Sequence, residues 1–209
     1  MTRGPSPRAR TLGQGSLLAL LAFATTLAAP PAGAASVGAF AAPGSRVAPA
    51  VAPTHRLAGR IVRVIDGDTV RMVLADGSQR TIRLASIDAP ETGGGQRPGQ
   101  PYGQAARREL TRLVEGKTLT AVCHDVDPHR RDVCDLPLPE GVTANQVMAG
   151  AGLAWANRER RGAFLRDPAV AVAEDAARRQ RRGLWADSDP VAPWRWRHVC
   201  WREGRCNGS

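Results

Sequence analysis

Short β-prone runs open the ordered part of the chain, and the second and third of them alternate apolar with polar residues, which is typical of half-buried β-strands. The first run lies at 61–65 and stops at Asp66-Gly67-Asp68, a sequence that favours a turn. The second run, at 70–74, closes at Asp76-Gly77, and the third covers 80–87. The pattern therefore predicts an antiparallel meander of three strands.

A helical period replaces this alternation at 101–115, where four apolar residues between Ala106 and Val114 share one stripe. Gly116 is expected to end this helix. The alternation then returns at 118–122 and 132–136, which predicts two more strands.

Two further helices are predicted in the second half of the chain. Thr143 and Gln146 form a capping-box pattern at the start of a short helix at 143–151. The last helix should begin after Asp167 as its N-cap, with Pro168 in its first turn, and end at Gly183.

Five strands and about three helices predict an α+β fold that is mainly β. The order of elements fits a five-stranded Greek-key barrel of the OB type with the helices packed on it. We place this domain at 57–187, followed by a Trp- and Arg-rich tail at 188–209. The tryptophans of the tail either stack on single-stranded nucleic acid or pack back on the barrel.

The N-terminal segment has the pattern of a secretory signal at 1–34, with arginines, an apolar run and then Ala32-Gly33-Ala34. The apolar run is short for a membrane span, although an uncleaved anchor stays open. Residues 35–56 are rich in Ala and Pro and are predicted to be a flexible linker. We expect a secreted or extracytoplasmic protein, in contact with a membrane only if the signal is uncleaved.

The chain is strongly basic, with a formal net charge of +10 over 209 residues, and Lys117 is its only lysine. Removing residues 1–34 takes away three arginines and no acidic residue, which leaves 26 basic and 19 acidic residues, a charge of +7. Such a charge favours polyanionic partners. It does not separate nucleic acid from an anionic membrane surface.

The four cysteines are expected to form disulfides, because an exported chain folds in an oxidising compartment. Three connectivities are possible, and we predict the two local pairs, Cys123–Cys134 and Cys200–Cys206. A zinc site is the alternative, although the chain has no Cys-x-x-Cys motif.

Acidic residues gather at two places in the predicted meander, and they are the candidate chemistry. Asp66 and Asp68 flank the first turn, while Asp88 and Glu91 follow the third strand. Carboxylate oxygens at neighbouring strand ends can bind a hard cation such as Ca²⁺. Arg83, on the strand that leads to Asp88, could hold a phosphate beside that cation. The alternatives are a solvated hairpin turn and a surface arginine.

Over roughly residues 57–197 the chain resembles the staphylococcal nuclease, or thermonuclease, family. The segments that carry the resemblance are 64–69, 83–91, Tyr102-Gly103, Gly152-Leu153-Ala154-Trp155, Arg182-Gly183-Leu184-Trp185 and Pro193-Trp194-Arg195-Trp196-Arg197. The resemblance implies an OB-fold hydrolase, an endonuclease or exonuclease that cleaves phosphodiester bonds in DNA and RNA with Ca²⁺ and leaves 3′-phosphate ends.

The resemblance also assigns roles to individual residues. The implied calcium ligands are Asp68, Asp88 and the backbone carbonyl of Ala89, with Asp66 supporting the pocket. Arg83 would bind the phosphate, and Glu91 would orient or activate the attacking water.

The second catalytic arginine of the family corresponds to Arg131. Its neighbour Arg130 replaces a glycine of the family pattern, and His129 replaces an aromatic residue that contacts the nucleotide. Either arginine could therefore reach the phosphate, and all three are candidate nucleic-acid contacts. Two more candidate contacts, where family members carry tyrosines, are Arg158 and Arg160.

A non-catalytic secreted OB-fold module that binds nucleic acid by charge is the alternative to a nuclease. Such a module has no need of Asp68, Asp88, Arg83 and Glu91 together. A wall-associated or membrane-surface protein is a third possibility. The expected partner is DNA or RNA, and we expect a monomer with no obligate protein partner.

Overall fold

Seven strands form within residues 54–206, the part of the chain that the computed structural model describes. They are β1 (His55–Asp66), β2 (Thr69–Leu74), β3 (Gln79–Leu84), β4 (Ile87–Asp88), β5 (Thr118–Val126), β6 (Asp132–Asp135) and β7 (Trp155–Ala156). Five of them close into a barrel in the order β1-β2-β3-β6-β5, in which only β3 and β6 pair in parallel. This closed barrel with its packed helices confirms the predicted OB-type α+β fold.

The three predicted helices form in the predicted order, together with two short helices and two helical turns that were not predicted. They are α1 (Gly103–Val114), α2 (Ala144–Gly150), α3 (Glu159–Gly162), α4 (Pro168–Arg179) and α5 (Pro193–Trp196), with a 3₁₀ turn at Gly183–Ala186 and a π-helical turn at Arg197–Arg202. Thr143 and Gln146 complete the predicted capping box of α2, and Asp167 caps α4 through the amide of Ala169.

The core lies inside the barrel and under α1. The apolar stripe of α1 is buried, and Leu110 and Val114 pack with Ile61, Met72 and Ile82 from the first three strands. Burial of each such side chain stabilises the fold by about 1.5–3 kcal/mol relative to leaving it in water. The packed barrel therefore supports the turn between β1 and β2 and the end of β3, near which the acidic residues lie.

The third strand is shorter than its alternation predicts, because the chain turns sharply after Leu84. Ser86 adopts a left-handed conformation with φ of 65°, and its hydroxyl accepts hydrogen bonds from the amides of Arg166 and Asp167. After this turn β4 pairs with β7, so that Asp88 faces Trp155 across a separate two-stranded sheet. This pairing fixes the position of Asp88 next to the barrel.

Both predicted disulfides form, Cys123–Cys134 between β5 and β6 and Cys200–Cys206 in the tail. The zinc alternative is therefore wrong. The tail also packs back on the domain through Trp196, which is buried, and Trp194, whose ring centroid lies 5.6 Å from that of Trp155.

The predicted signal at 1–34 lies outside the described residues. So does the predicted linker at 35–56, except for its last three residues, 54–56. Strand β1 already includes two of those three, since it begins at His55. Between residues 54 and 206, no helix combines the length and the apolar character that a bilayer span requires.

Candidate active site

The turn between β1 and β2 is buried rather than solvated. Asp68 is 5% exposed, and its amide donates to Oδ1 of Asp66 at 3.0 Å, which closes the turn. Gly67 is required by close packing, because a Cβ at this position would lie 2.6 Å from that of Ala106 and 2.7 Å from that of Ala89. The packing holds Asp68 against the segment that follows β4.

Arg83 joins the two acidic segments. It lies opposite Thr69 in the β2–β3 pairing. Its guanidinium forms an ion pair with Asp68 Oδ2 at 2.7 Å and donates to Asp88 Oδ1 at 2.9 Å. The same group also donates to the carbonyl of Ile87 at 3.0 Å. Adjacent nitrogens of one guanidinium therefore hold both predicted metal-binding aspartates side by side.

Arg197 of the tail contacts the other side of these acids. Its Nη2 lies 2.7 Å from Asp88 Oδ2, and its Nη1 lies 2.7 Å from Glu91 Oε1 and 3.1 Å from Asp88 Oδ1. Sequence reasoning did not assign this residue to the site. The Pro-Trp-x-Trp-Arg end of the resemblance was the available signal, but it gave no indication of what Arg197 contacts.

Burial and charge shift the pKa values of these groups. Burial raises the pKa of Asp68 to about 7, although Arg83 opposes the shift. Burial likewise raises the pKa of Glu91 against the effect of Arg197. Burial alone would lower the pKa of Arg83 and of Arg197, but the neighbouring carboxylates raise both, so each stays charged. The site thus combines fixed positive charges with carboxylates that are poorly solvated.

The loop between β5 and β6 brings the second arginine. Asp127 organises this loop by accepting from the amides of His129 and Arg131, each at 2.9 Å, and from Arg131 Nε at 2.7 Å. Arg130 has a φ of 62°, the left-handed conformation that glycine adopts with less strain. Arg130 therefore adopts the backbone conformation that a glycine at this position would favour.

A cavity of about 470 Å³ collects most of the predicted site residues. Its lining comprises Asp66, Asp68, Arg83, Asp88, Ala89, Glu91, Arg97, His129, Arg131, Arg197 and Trp201. Arg130 is not part of this lining, so the structure favours Arg131 as the arginine nearer to the acids.

The structure does not bring Arg158 and Arg160 into this cavity. Arg158 is paired with Glu174 at 3.0 Å and with Asp175 at 2.9 Å on α4. Arg160 stacks on Phe164, 5.7 Å from the ring centroid. Phe164 does line a second cavity, of about 530 Å³, which also includes Arg83 and Arg131. The nucleic-acid contacts of Arg158 and Arg160 therefore remain predictions. The ion pairs with α4 hold Arg158 away from the cavity.

The donor set suits a hard divalent cation. Asp68 and Asp88 offer carboxylate oxygens beside the backbone of Ala89, whose amide donates to Asp68 Oδ2 at 2.8 Å. Between residues 54 and 206, no three His, Cys, Asp or Glu side chains are grouped as a metal site. A site of two carboxylates, one carbonyl and water does not require such a group.

Comparisons with known proteins place the chain in a family. The profile described as "Staphylococcal nuclease homologue" matches residues 81–187. An "Uncharacterized endonuclease" of Escherichia coli O157:H7 is 41% identical over 140 residues, which are 67% of this chain and 84% of the relative. The "Micrococcal nuclease" of Shigella flexneri is 36% identical over 152 residues, which are 68% of this chain and 80% of the relative.

A plant protein, the "Staphylococcal-like nuclease CAN1" of Arabidopsis thaliana, is 39% identical over 116 residues, but these are only 32% of its length. The closed barrel, the aspartates bridged by Arg83 and these matches all support the same family assignment. The chain belongs to the staphylococcal nuclease family, and it is a hydrolytic nuclease that acts on nucleic acid. The non-catalytic binding module is therefore not supported.

Proposed function

We propose that this chain is a secreted, Ca²⁺-dependent phosphodiesterase that hydrolyses both DNA and RNA and leaves 3′-phosphate ends. The observation that carries the proposal is the Arg83 guanidinium bridging Asp68 and Asp88, in a cavity that also contains Glu91 and Arg131. In this assignment the cation ligands are Asp68, Asp88 and the carbonyl of Ala89, with Asp66 holding the turn.

Hydrolysis of a phosphodiester requires positive groups that stabilise the negative charge on the phosphoryl oxygens. A phosphodiester repels an attacking water, and the transition state of the attack gathers further charge on the phosphoryl oxygens. A bound Ca²⁺ would supply a Lewis acid for one of those oxygens. Arg83 and Arg131 would bind the charge that develops, and stabilisation that is stronger in the transition state than in the ground state lowers the barrier.

Glu91 is assigned to the attacking water. It lines the same cavity as Asp88 and Arg131. A carboxylate in this position can orient a water and accept hydrogen bonds from it. His129, which lines the cavity beside Arg131, is assigned to substrate phosphate or base contact.

The surface supports a polyanionic substrate but not a base preference. The net charge of +7 that remains without residues 1–34 favours nucleic acid through counterion release. Arg97, whose guanidinium carbon lies 5.1 Å from the centre of the Trp201 ring, adds a cation and an aromatic face to the cavity. Both features act on any nucleic acid strand, which fits cleavage of DNA and RNA alike.

The test is digestion of single-stranded DNA, double-stranded DNA and RNA oligonucleotides with Ca²⁺ and with a chelator. We expect cleavage of all three with Ca²⁺, loss of cleavage with the chelator, and product strands that a polymerase extends only after phosphatase treatment. A Glu91→Gln variant should bind the same strands with turnover reduced by about 10²–10⁴. Products with 5′-phosphate ends, or cleavage that the chelator leaves intact, would refute the assignment.

A further inference from the structure

Arg197 contacts the oxygen atoms that a cation would need. It engages both oxygens of Asp88 and one oxygen of Glu91 through two guanidinium nitrogens. Asp88 Oδ1 already accepts from Arg83, so Oδ2 is the oxygen of Asp88 that points away from that arginine. Arg197 Nη2 lies 2.7 Å from this same Oδ2.

Contacts of the tail hold the backbone around Arg197 beside the acids. The π-helical turn at Arg197–Arg202 follows α5, and the Cys200–Cys206 disulfide closes the chain behind it. Trp201 Nε1 donates to the carbonyl of Pro98 at 3.0 Å, which ties the turn to the loop after Glu91. Gln100 donates to the carbonyl of Val191 at 2.6 Å and ties the segment before α5 to the same loop.

A divalent cation on Asp88 Oδ2 competes with Arg197 for that oxygen, whereas Arg83 donates to the other oxygen, Oδ1. A Ca²⁺ ion sits 2.3–2.6 Å from each ligand oxygen, within about 5 Å of a guanidinium nitrogen on the same oxygen. Two positive groups at that separation repel strongly where the surroundings are poorly solvated. The Arg197 side chain is 37% exposed, so it has room to turn away from the acids.

We propose that Arg197 is an internal counter-cation of the metal site, which occupies Asp88 and Glu91 in the cation-free protein and which a divalent cation must displace. The inference rests on the proposed function in one respect, namely that the cation binds at Asp68 and Asp88. Arg197 then sets the cation affinity of the enzyme. By linkage, removing its charge strengthens cation binding.

The experiment is isothermal titration of Ca²⁺ into the full chain, without nucleic acid, for the unsubstituted protein and for Arg197→Gln. Glutamine keeps much of the length of arginine but carries no charge. We expect the Kd for Ca²⁺ to fall on the order of tenfold, the lower part of the range of typical coupling between two sites. A damaged fold would weaken binding, so tighter binding separates displacement from structural loss.

Matched controls use the same tail and the same site. Arg195→Gln removes the same charge from an exposed residue two positions away, and its Kd should change by less than about twofold, because solvent and salt screen it. Arg197→Lys keeps the charge and should stay closer to the unsubstituted protein than Arg197→Gln does. Asp88→Asn should abolish the titration signal, which ties the measured Kd to this site.

The outcomes distinguish the two proposals. Unchanged or weaker Ca²⁺ binding in Arg197→Gln, with Asp88-dependent binding intact, overturns the counter-cation and leaves the proposed function standing. Tightening of equal size in Arg195→Gln also overturns it, because a general charge effect then explains the gain. If Ca²⁺ binding is absent, or if it persists in Asp88→Asn, the counter-cation proposal is wrong. The separate cleavage assay with Ca²⁺ and chelator then decides the proposed function.

Discussion

Replacing Arg83 by alanine tests how the buried charges of the site depend on one another. The substitution leaves Asp68 and Asp88 without the guanidinium that bridges them, and the two carboxylate side chains are only 8% and 2% exposed. Breaking a buried ion pair from one side costs about 3–5 kcal/mol. We expect the lower end, about 3 kcal/mol, because the pKa of Asp68, at about 7, already allows it to take up a proton.

Calcium should restore the stability of Arg83→Ala but not its activity. A cation bound between the same carboxylates at about 100 times its Kd would return about 2.7 kcal/mol to the folded state. Turnover should stay lower by about 10²–10³, the cost of one lost electrostatic stabiliser of the transition state. The assays are urea unfolding with Ca²⁺ and with a chelator, and hydrolysis of a defined oligonucleotide.

Arg80→Ala is the matched control on the same strand. Arg80 pairs with Asp132 at 2.8 Å and is not part of the cavity lining, so its loss should leave turnover intact. Ca²⁺ should stabilise Arg80→Ala by the same amount as the unsubstituted protein, so the stability difference between the two should be the same with Ca²⁺ and with a chelator. If Arg83→Ala keeps turnover within tenfold of the unsubstituted protein, or if Ca²⁺ restores turnover, the assignment of Arg83 to the transition state is wrong.

Four further substitutions have expected effects that follow from the contacts. Arg131→Ala should lower oligonucleotide turnover by about 10²–10³, whereas Arg130→Gly should keep activity and raise the unfolding free energy by about 1 kcal/mol, because φ of 62° suits glycine. Gly67→Ala should cost about 1–3 kcal/mol through overpacking, measured by thermal denaturation, and a neutral result would contradict the tight turn. Replacing Cys123 and Cys134 by alanine should cost about 2–4 kcal/mol in urea unfolding, and an unchanged midpoint would contradict a stabilising link between β5 and β6.

The periodicity of apolar residues and the local turn and capping residues were sufficient to predict most of the fold. Alternation located the barrel strands, and the capping pairs located the starts of α2 and α4, because both depend on residues close together in the chain. The sharp turn at Ser86 was missed because its cause is distant. The Ser86 hydroxyl is held by amides 80 and 81 residues further on, at Arg166 and Asp167.

The acidic part of the site was predictable and its basic part only partly so. Asp68 lies in the turn before β2 and Asp88 follows the end of β3 by four residues, and the pairing of β2 with β3 brings the two together. The burial of Asp68 was not evident, because an Asp-Gly-Asp turn usually faces water, and only the packing of Gly67 on α1 shows otherwise. Arg197 reaches Asp88 from 109 residues away through a disulfide-closed turn, a contact that no local pattern encodes.

The central claim is that the arginine-bridged aspartates are the cation-dependent catalytic centre of this nuclease. The most direct measurement is the initial rate of cleavage of one double-stranded DNA substrate by the unsubstituted protein and by Asp88→Asn, each with Ca²⁺ and with a chelator. We predict rapid cleavage only for the unsubstituted protein with Ca²⁺. Cleavage by Asp88→Asn at a comparable rate would contradict the claim and move the chemistry away from these aspartates.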